Sequence, residues 1–131
     1  MERCRMVFSG SGGQGVITAA IILAESAVLH ENLEAVQTQA YGAAARGGAT
    51  RTDVIIADSE INFPKVLQPN VLVCLTQEAY NSFSGIIRPG GLLLFTTFGP
   101  DTLKELRAAW SAADGHTHVS RFIDMHDLGD A

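Results

Sequence analysis

Met6-Val7-Phe8-Ser9-Gly10-Ser11-Gly12-Gly13-Gln14-Gly15-Val16-Ile17 is the stretch that decides the fold. A short apolar run stops at glycines. Apolar residues then return at helical spacing through Ala20, Ile21, Leu23, Ala24, Ala27 and Val28. That period, with Ala and Leu among the residues, favours a helix over residues 16–29. An apolar run ending at glycine favours a buried strand. Strand, tight turn and helix in that order form the opening unit of an α/β layer structure.

Working outward, Ala35-Val36-Gln37-Thr38 reads as a second strand, and residues 50–57 as a third that becomes apolar as it proceeds. Val71-Leu72-Val73-Cys74-Leu75 is the clearest buried strand, and Thr76 is placed to cap a short helix over residues 77–83. Arg88-Pro89-Gly90-Gly91 has turn composition, and Leu92-Leu93-Leu94-Phe95 follows as an apolar strand. Thr102 and Glu105 have capping-box spacing. The helix they open puts Leu103, Leu106 and Trp110 on one face as core, and Asp114-Gly115 ends it. Strands alternate with helices, and most strands are continuously apolar. This predicts an α/β, doubly wound, Rossmann-like fold over residues 1–131 as a single domain, with a mainly parallel sheet and helices on both faces.

The 131 residues carry a net charge of −5, with 47% apolar and 18% charged residues, which excludes a disordered chain. The longest nearly apolar run, residues 16–24, is far short of the ~20 residues a bilayer span needs. No signal-peptide apolar region precedes the first strand, so a cytoplasmic location without membrane association is expected. Cys4 and Cys74 cannot form a disulfide framework or a cysteine-rich metal site. An acidic chain without a basic run is not expected to bind nucleic acid.

Gly10, Gly12 and Gly15 satisfy a G-x-G-x-x-G spacing between strand and helix. Glycines there permit positive φ and close approach of a ligand, and the helix start offers N–H groups to an anion. Gly10, Gly12, Gly13, Gln14 and Gly15 are therefore the candidate cofactor-binding residues. Three readings stay open. A dinucleotide site needs an acid ending the second strand, where this chain has Gln37, Thr38 and Gln39. A phosphate-binding loop of the ATPase type needs Gly-Lys-Ser/Thr, where this chain has Gly15-Val16-Ile17. A plain tight turn needs no ligand.

A second small-residue cluster, Tyr41-Gly42-Ala43-Ala44-Ala45-Arg46-Gly47-Gly48, surrounds one aromatic and one guanidinium. Arg46 can pair bidentately with a carboxylate or phosphate. Tyr41, Gly42, Arg46, Gly47 and Gly48 are the candidate substrate or subunit-interface residues; a solvated surface loop is the alternative.

Together, Gly10-Ser-Gly-Gly-Gln-Gly-Val16, Tyr41 to Gly48 and Ile61-Asn62-Phe63-Pro64 resemble the gamma subunit of 2-oxoacid:ferredoxin oxidoreductases over roughly residues 5–91. That resemblance implies a subunit of a heteromultimeric oxidoreductase acting on pyruvate, 2-oxoglutarate or a related 2-oxoacid. Such complexes form acyl-coenzyme A and pass electrons to ferredoxin. It implies that thiamine diphosphate, Mg2+ and iron–sulfur clusters lie in partner subunits, and that this chain alone binds none of them and is inactive. Two cysteines fit that division, since a cluster normally takes four. The two glycine clusters would face the partner subunits, with coenzyme A and the 2-oxoacid near the interface.

Beyond the Pro-Gly-Gly turn the resemblance changes. Arg88 to Trp110 and Arg121-Phe122-Ile123-Asp124-Met125-His126-Asp127-Leu128-Gly129-Asp130 are similar to the malonyl-acyl-carrier-protein O-methyltransferase of biotin synthesis, over about residues 86–131. The chain thus reads as a mosaic: an oxidoreductase-like front over residues 1–91 and a truncated methyltransferase-like back over 92–131. An S-adenosylmethionine-dependent methyltransferase fragment and a non-catalytic scaffold are the alternative functions. A methyltransferase of this class needs an acid before its glycine turn, where Phe8-Ser9 stand, so methyl transfer is not expected.

Among smaller candidates, His116 and His118 read as a solvated loop rather than metal ligands. Asp124 and Asp127 beside His126 read as helix caps. Cys74 reads as inert core. Glu78 and Tyr80 are expected near the crevice beside residues 10–15.

Overall fold

The computed structural model describes residues 3–39, 49–124 and 127–128. The chain divides into two compact units, residues 1–96 and residues 97–131. The first contains strands β1 (Cys4–Gly10), β2 (Glu34–Gln39), β3 (Thr50–Ala57), β4 (Val71–Cys74) and β5 (Leu92–Phe95). They form one sheet in the order β2-β3-β1-β4-β5. The β1–β4 and β4–β5 ladders are parallel, while β3 is antiparallel to both β1 and β2. Four strands therefore run one way and β3 runs against them. The α/β reading with a mainly parallel strand direction holds, and the reversed β3 is the feature it did not contain. The reversal follows from the short connection between Gln39 and Thr50. A parallel return needs a crossover of about a dozen residues or more.

Helices cover both faces. Helix α1 (Val16–Glu31) lays Ala20, Ala24 and Ala27 against Met6, Val54 and Ile56. Helix α2 (Gln77–Phe83) puts Ala79 with Val7, Ile55, Leu72 and Val66 on the opposite face. The Thr76 hydroxyl accepts from the Ala79 N–H at 3.1 Å, as the sequence predicts. A 3-10 turn (Ser84–Ile86) and the Arg88-Pro89-Gly90-Gly91 turn lead into β5. The change of resemblance after Gly91 falls before β5, yet β5 pairs with β4 and lies in the first unit.

β5 is not the buried strand its sequence suggests. Leu92, Leu94 and Phe95 are exposed, and Leu93 alone packs into a core. The reason is coverage: α1 lies over β1, β2 and β3, and α2 over β1 and β4.

In the second unit, helix α3 spans Lys104–Ala113. Thr102 does not cap it; Leu103 holds the N-cap position at φ 58° without a side-chain bond. The Thr102 carbonyl instead accepts from the Arg107 guanidinium at 2.9 Å. No α3 residue is buried, so Leu103, Leu106 and Trp110 are not core. Asp114 and Gly115 end the helix as expected, with Gly115 at φ 71°.

Candidate functional site

The β1 ladder sets where the site lies. Gly10, the last residue of β1, is register partner of Thr50, the first residue of β3. Gln39, the last residue of β2, is partner of Thr52. The turn over residues 10–15 therefore rises from the same rim at which the chain leaves β2 and re-enters β3. Tyr41, Gly42, Arg46, Gly47 and Gly48 lie outside the described residues; the strand ends that flank them sit at that rim.

The turn's glycines do different jobs. A Cβ on Gly10 would stand 2.5 Å from Gln14 Oε1, 2.9 Å from Val16 Cγ2 and 3.2 Å from Leu75 Cβ, so packing demands glycine there. Gly13 and Gly15 adopt φ of 84° and 75°, which other residues resist. Gly12 has neither constraint and faces open space. Gly15 is the N-cap of α1 and supplies no side-chain bond, and α1 has no acid in its first turn. The helix start thus keeps its N–H groups and positive end uncapped by side chains, an arrangement suited to an anion. A shallow cleft of about 330 Å³ beside it is lined by Ser11, Gly12, Gly13, Gly15, Thr18 and Thr50, among others.

Gln14 points elsewhere. Its Oε1 accepts from the Ser11 N–H at 2.7 Å, and its Nε2 donates to the Leu75 carbonyl at 3.5 Å. The amide thus spans the crevice between the carboxyl ends of β1 and β4, where helices α1 and α2 depart to opposite faces. Open sheets bind ligands at such a switch point; here a side chain of the protein fills it. Glu78 and Tyr80 do not line the cleft.

Sequence reading missed two polar fixtures. Ser9 is fully buried, and its hydroxyl donates to the Val73 carbonyl at 2.7 Å, tying β1 to β4. On the α2 face, Arg51 Nε and Nη2 meet Asp53 Oδ1 and Oδ2 at 2.7 and 3.1 Å. Arg51 also donates to the Val66 carbonyl at 2.6 Å, and the Val66 N–H donates to Asp53 at 3.0 Å. The guanidinium lies 5.6 Å from the centre of the Phe83 ring. Thr38 Oγ1 donates to the Pro64 carbonyl at 3.2 Å. These contacts pin residues 64–66 across β2 and β3. The signal was available: a charged pair two residues apart, on the strand face that continues into Ile55 and Ala57, must be paired to be buried.

In the second unit, His118 Nε2 lies 2.7 Å from Asp114 Oδ2, and its ring centre lies 4.3 Å from that of Trp110 with the planes tilted by 34°. His116 and His118 form no metal-binding group among the described residues. His126 lies outside the described residues. Cys74 is buried beside Ser9, and Cys4 opens β1 at its other end. Among the described residues no helix is long and apolar enough to cross a membrane.

A mixed α/β sheet with a glycine turn at the carboxyl end of its central strand defines the general class. The chain belongs to the pyruvate ferredoxin/flavodoxin oxidoreductase family, whose sequence model matches residues 5–117. It is 54% identical over 86 residues to the 2-oxoglutarate synthase subunit KorC of Methanocaldococcus jannaschii, covering 66% of this chain and 46% of that relative. The chain spans about half the length of the KorC relatives it matches. A solved gamma subunit of a keto/oxoacid ferredoxin oxidoreductase from Geobacter sulfurreducens superposes with a TM-score of 0.65 at 42% identity, covering 72% of this chain and 51% of that one. The chain also has a stretch of 49 residues 63% identical to the malonyl-[acyl-carrier protein] O-methyltransferase of Laribacter hongkongensis, covering 37% of this chain and 16% of that relative.

Proposed function

We propose that this chain is a docking portion of the gamma subunit of a 2-oxoacid:ferredoxin oxidoreductase, with its glycine rim turned toward the partner subunits. The complex would decarboxylate a 2-oxoacid, form acyl-coenzyme A and pass the electrons to ferredoxin. The observation that carries the reading is the Gly10–Thr50 register, which brings the glycine turn and both flanks of residues 40–49 to one rim. Family membership and the KorC likeness support the same reaction class.

In this reading Gly12, Gly13 and Gly15 offer a surface poor in side chains, over which a partner backbone or an anionic group can approach. Gln14 holds the turn's shape through Ser11 and Leu75. Arg46 supplies the positive charge toward coenzyme A or the 2-oxoacid, and Tyr41 an aromatic face. Thiamine diphosphate, Mg2+ and iron–sulfur clusters belong to the partner subunits. Cys4 and Cys74, near opposite ends of the sheet, do not form a cluster site. The reaction therefore needs the assembly, in the cytoplasm.

Co-expression of the tagged chain with thiamine-binding and ferredoxin-like subunits tests this. Co-elution of those subunits, lost in Gly12→Trp, is expected. Their absence from the eluate would leave a scaffold whose glycines only pack. Methyl transfer is not proposed: the matching stretch spans 16% of the methyltransferase, and the position before Gly10 is occupied by Ser9 bonded to β4. Thermal stabilisation by S-adenosylmethionine would reverse that judgement.

A further inference from the structure

At the opposite rim of the sheet lies a cleft of about 640 Å³ lined by Arg5, Phe63, Lys65, Leu67, Gln68, Arg88 and Pro89. Three of the nine Lys and Arg residues of an acidic chain line it, and among the described residues no Asp or Glu does. Several of the chain's other cations are engaged: Arg51 with Asp53, Arg3 with the Glu60 carbonyl, Lys104 with Asp101. Among the described residues, no hydrogen bond or ion pair engages the Arg5 guanidinium or the Lys65 amine.

The frame of the cleft is fixed. Asn70 accepts from the Arg5 N–H through Oδ1 at 2.9 Å and donates its own N–H to the Arg5 carbonyl at 2.7 Å. Its carbonyl accepts from the Leu92 N–H at 2.8 Å, and the neighbouring Pro69 carbonyl accepts from the Arg88 N–H at 3.2 Å. One residue thus holds the amino ends of β1 and β5 at set positions around β4. Beside these cations stand exposed apolar groups: Phe63 is 57% and Leu67 71% exposed.

A concave wall of one charge sign focuses field on its opening and draws in anions. The two unengaged positive charges, on Arg5 and Lys65, match a dianion better than a single carboxylate. The apolar walls match a ring or alkyl body. The volume lies in the range of small-molecule clefts, about 300–1,000 Å³. We propose that this cleft binds a small phosphate monoester, its phosphate held by Arg5 and Lys65 and its apolar body resting on Phe63 and Leu67. The proposal is independent of the glycine rim, which lies at the other end of β1.

The test titrates phenyl phosphate, inorganic phosphate and phenol separately into the full 131-residue chain, following backbone amide resonances and heats of binding. Saturable shifts at Arg5, Lys65, Gln68 and Arg88 are expected with phenyl phosphate. Inorganic phosphate should move the same resonances about tenfold more weakly, and phenol should not move them. Lys65→Gln should weaken both phosphate ligands about tenfold. Phe63→Ala should weaken phenyl phosphate and leave inorganic phosphate unchanged. Both side chains are exposed, so the fold should survive each change. Affinity should also fall as the ester loses its second charge below pH ~6. No saturable shift at millimolar ligand would overturn the proposal. So would shifts confined to residues 11–18, or binding indifferent to Lys65→Gln.

Discussion

Gly10 and Thr50 face each other across the β1–β3 ladder, the end of one strand against the start of the other. Because β3 runs antiparallel, its first residue and the last residue of β1 share a rim. A parallel β3 would have placed Thr50 at the far end, beside Cys4. The reversed strand is thus what brings the flanks of the two glycine-rich segments together.

Gly10 is held by packing rather than by backbone conformation. Gly10→Ala would drive a methyl into Gln14 Oε1, Val16 Cγ2 and Leu75 Cβ. The Gln14 amide can swing, but the other two contacts are anchored in α1 and after β4. A loss of about 1–3 kcal/mol is expected, read as a lower urea midpoint with unchanged slope. Gly12→Ala, which meets nothing within 4 Å, should stay within about 0.5 kcal/mol. Equal losses at both positions would contradict this division of labour.

Gly15 is held by its φ of 75° at the N-cap of α1. Gly15→Ala should cost about 1–2 kcal/mol, because a Cβ crowds the carbonyl in the left-handed region. Gly15→Asn should cost less, since asparagine tolerates that region. Thermal unfolding of the two variants ranks them. An alanine variant as stable as the parent would mean that the turn relaxes without strain.

Much of this architecture is legible in the residues. The strand bounds at Thr50–Ala57 and Leu92–Phe95 and the helix bounds at Gln77–Phe83 match the apolar patterns and the Thr76 cap. Strand direction is not written in such patterns. Thr50 to Ala57 reads the same in either orientation, and the only clue to reversal is the length of the connection before it. Coverage is also invisible locally: Leu92 and Leu94 look like core, yet no described helix packs over them. At the site, the turn and its helix were readable from the glycine spacing. Gln14's inward role was not, because it depends on Leu75, distant in sequence and adjacent only once β1 and β4 pair. Leu103, Leu106 and Trp110 have the spacing of a buried stripe, but spacing cannot supply the surface that would bury them.

The uncovered face of β5 has a consequence in solution. Leu92 and Leu94 are 54% and 46% exposed on an edge strand, which invites pairing with another chain. Leu92→Lys with Leu94→Lys should raise the concentration at which the isolated chain stays monodisperse, with a stability change within about 1 kcal/mol. Light scattering and urea titration measure the two effects. A large loss of stability would show that these side chains are covered in the folded chain.

The Arg51–Asp53 pair is the strongest polar fixture of the first unit, with side-chain exposures of 19% and 11%. Asp53 takes two of the three guanidinium bonds and the Val66 N–H. Asp53→Ala therefore leaves a half-buried cation without its counter-charge, held only by the Val66 carbonyl, and a buried Val66 donor unpaired, and should cost about 2–3 kcal/mol. Arg51→Met removes the cation but keeps an apolar body near Phe83, and the carboxylate it leaves still accepts from Val66. The double variant removes both charges, so its loss should be smaller than the sum of the single losses, with a coupling of about 1 kcal/mol or more. Because the pair is largely shielded, raising salt from 0.1 to 1 M should change that coupling little, whereas an exposed pair would be screened. Strictly additive losses would show that the two side chains stabilise the fold separately, and that residues 64–66 are held by packing rather than by this carboxylate.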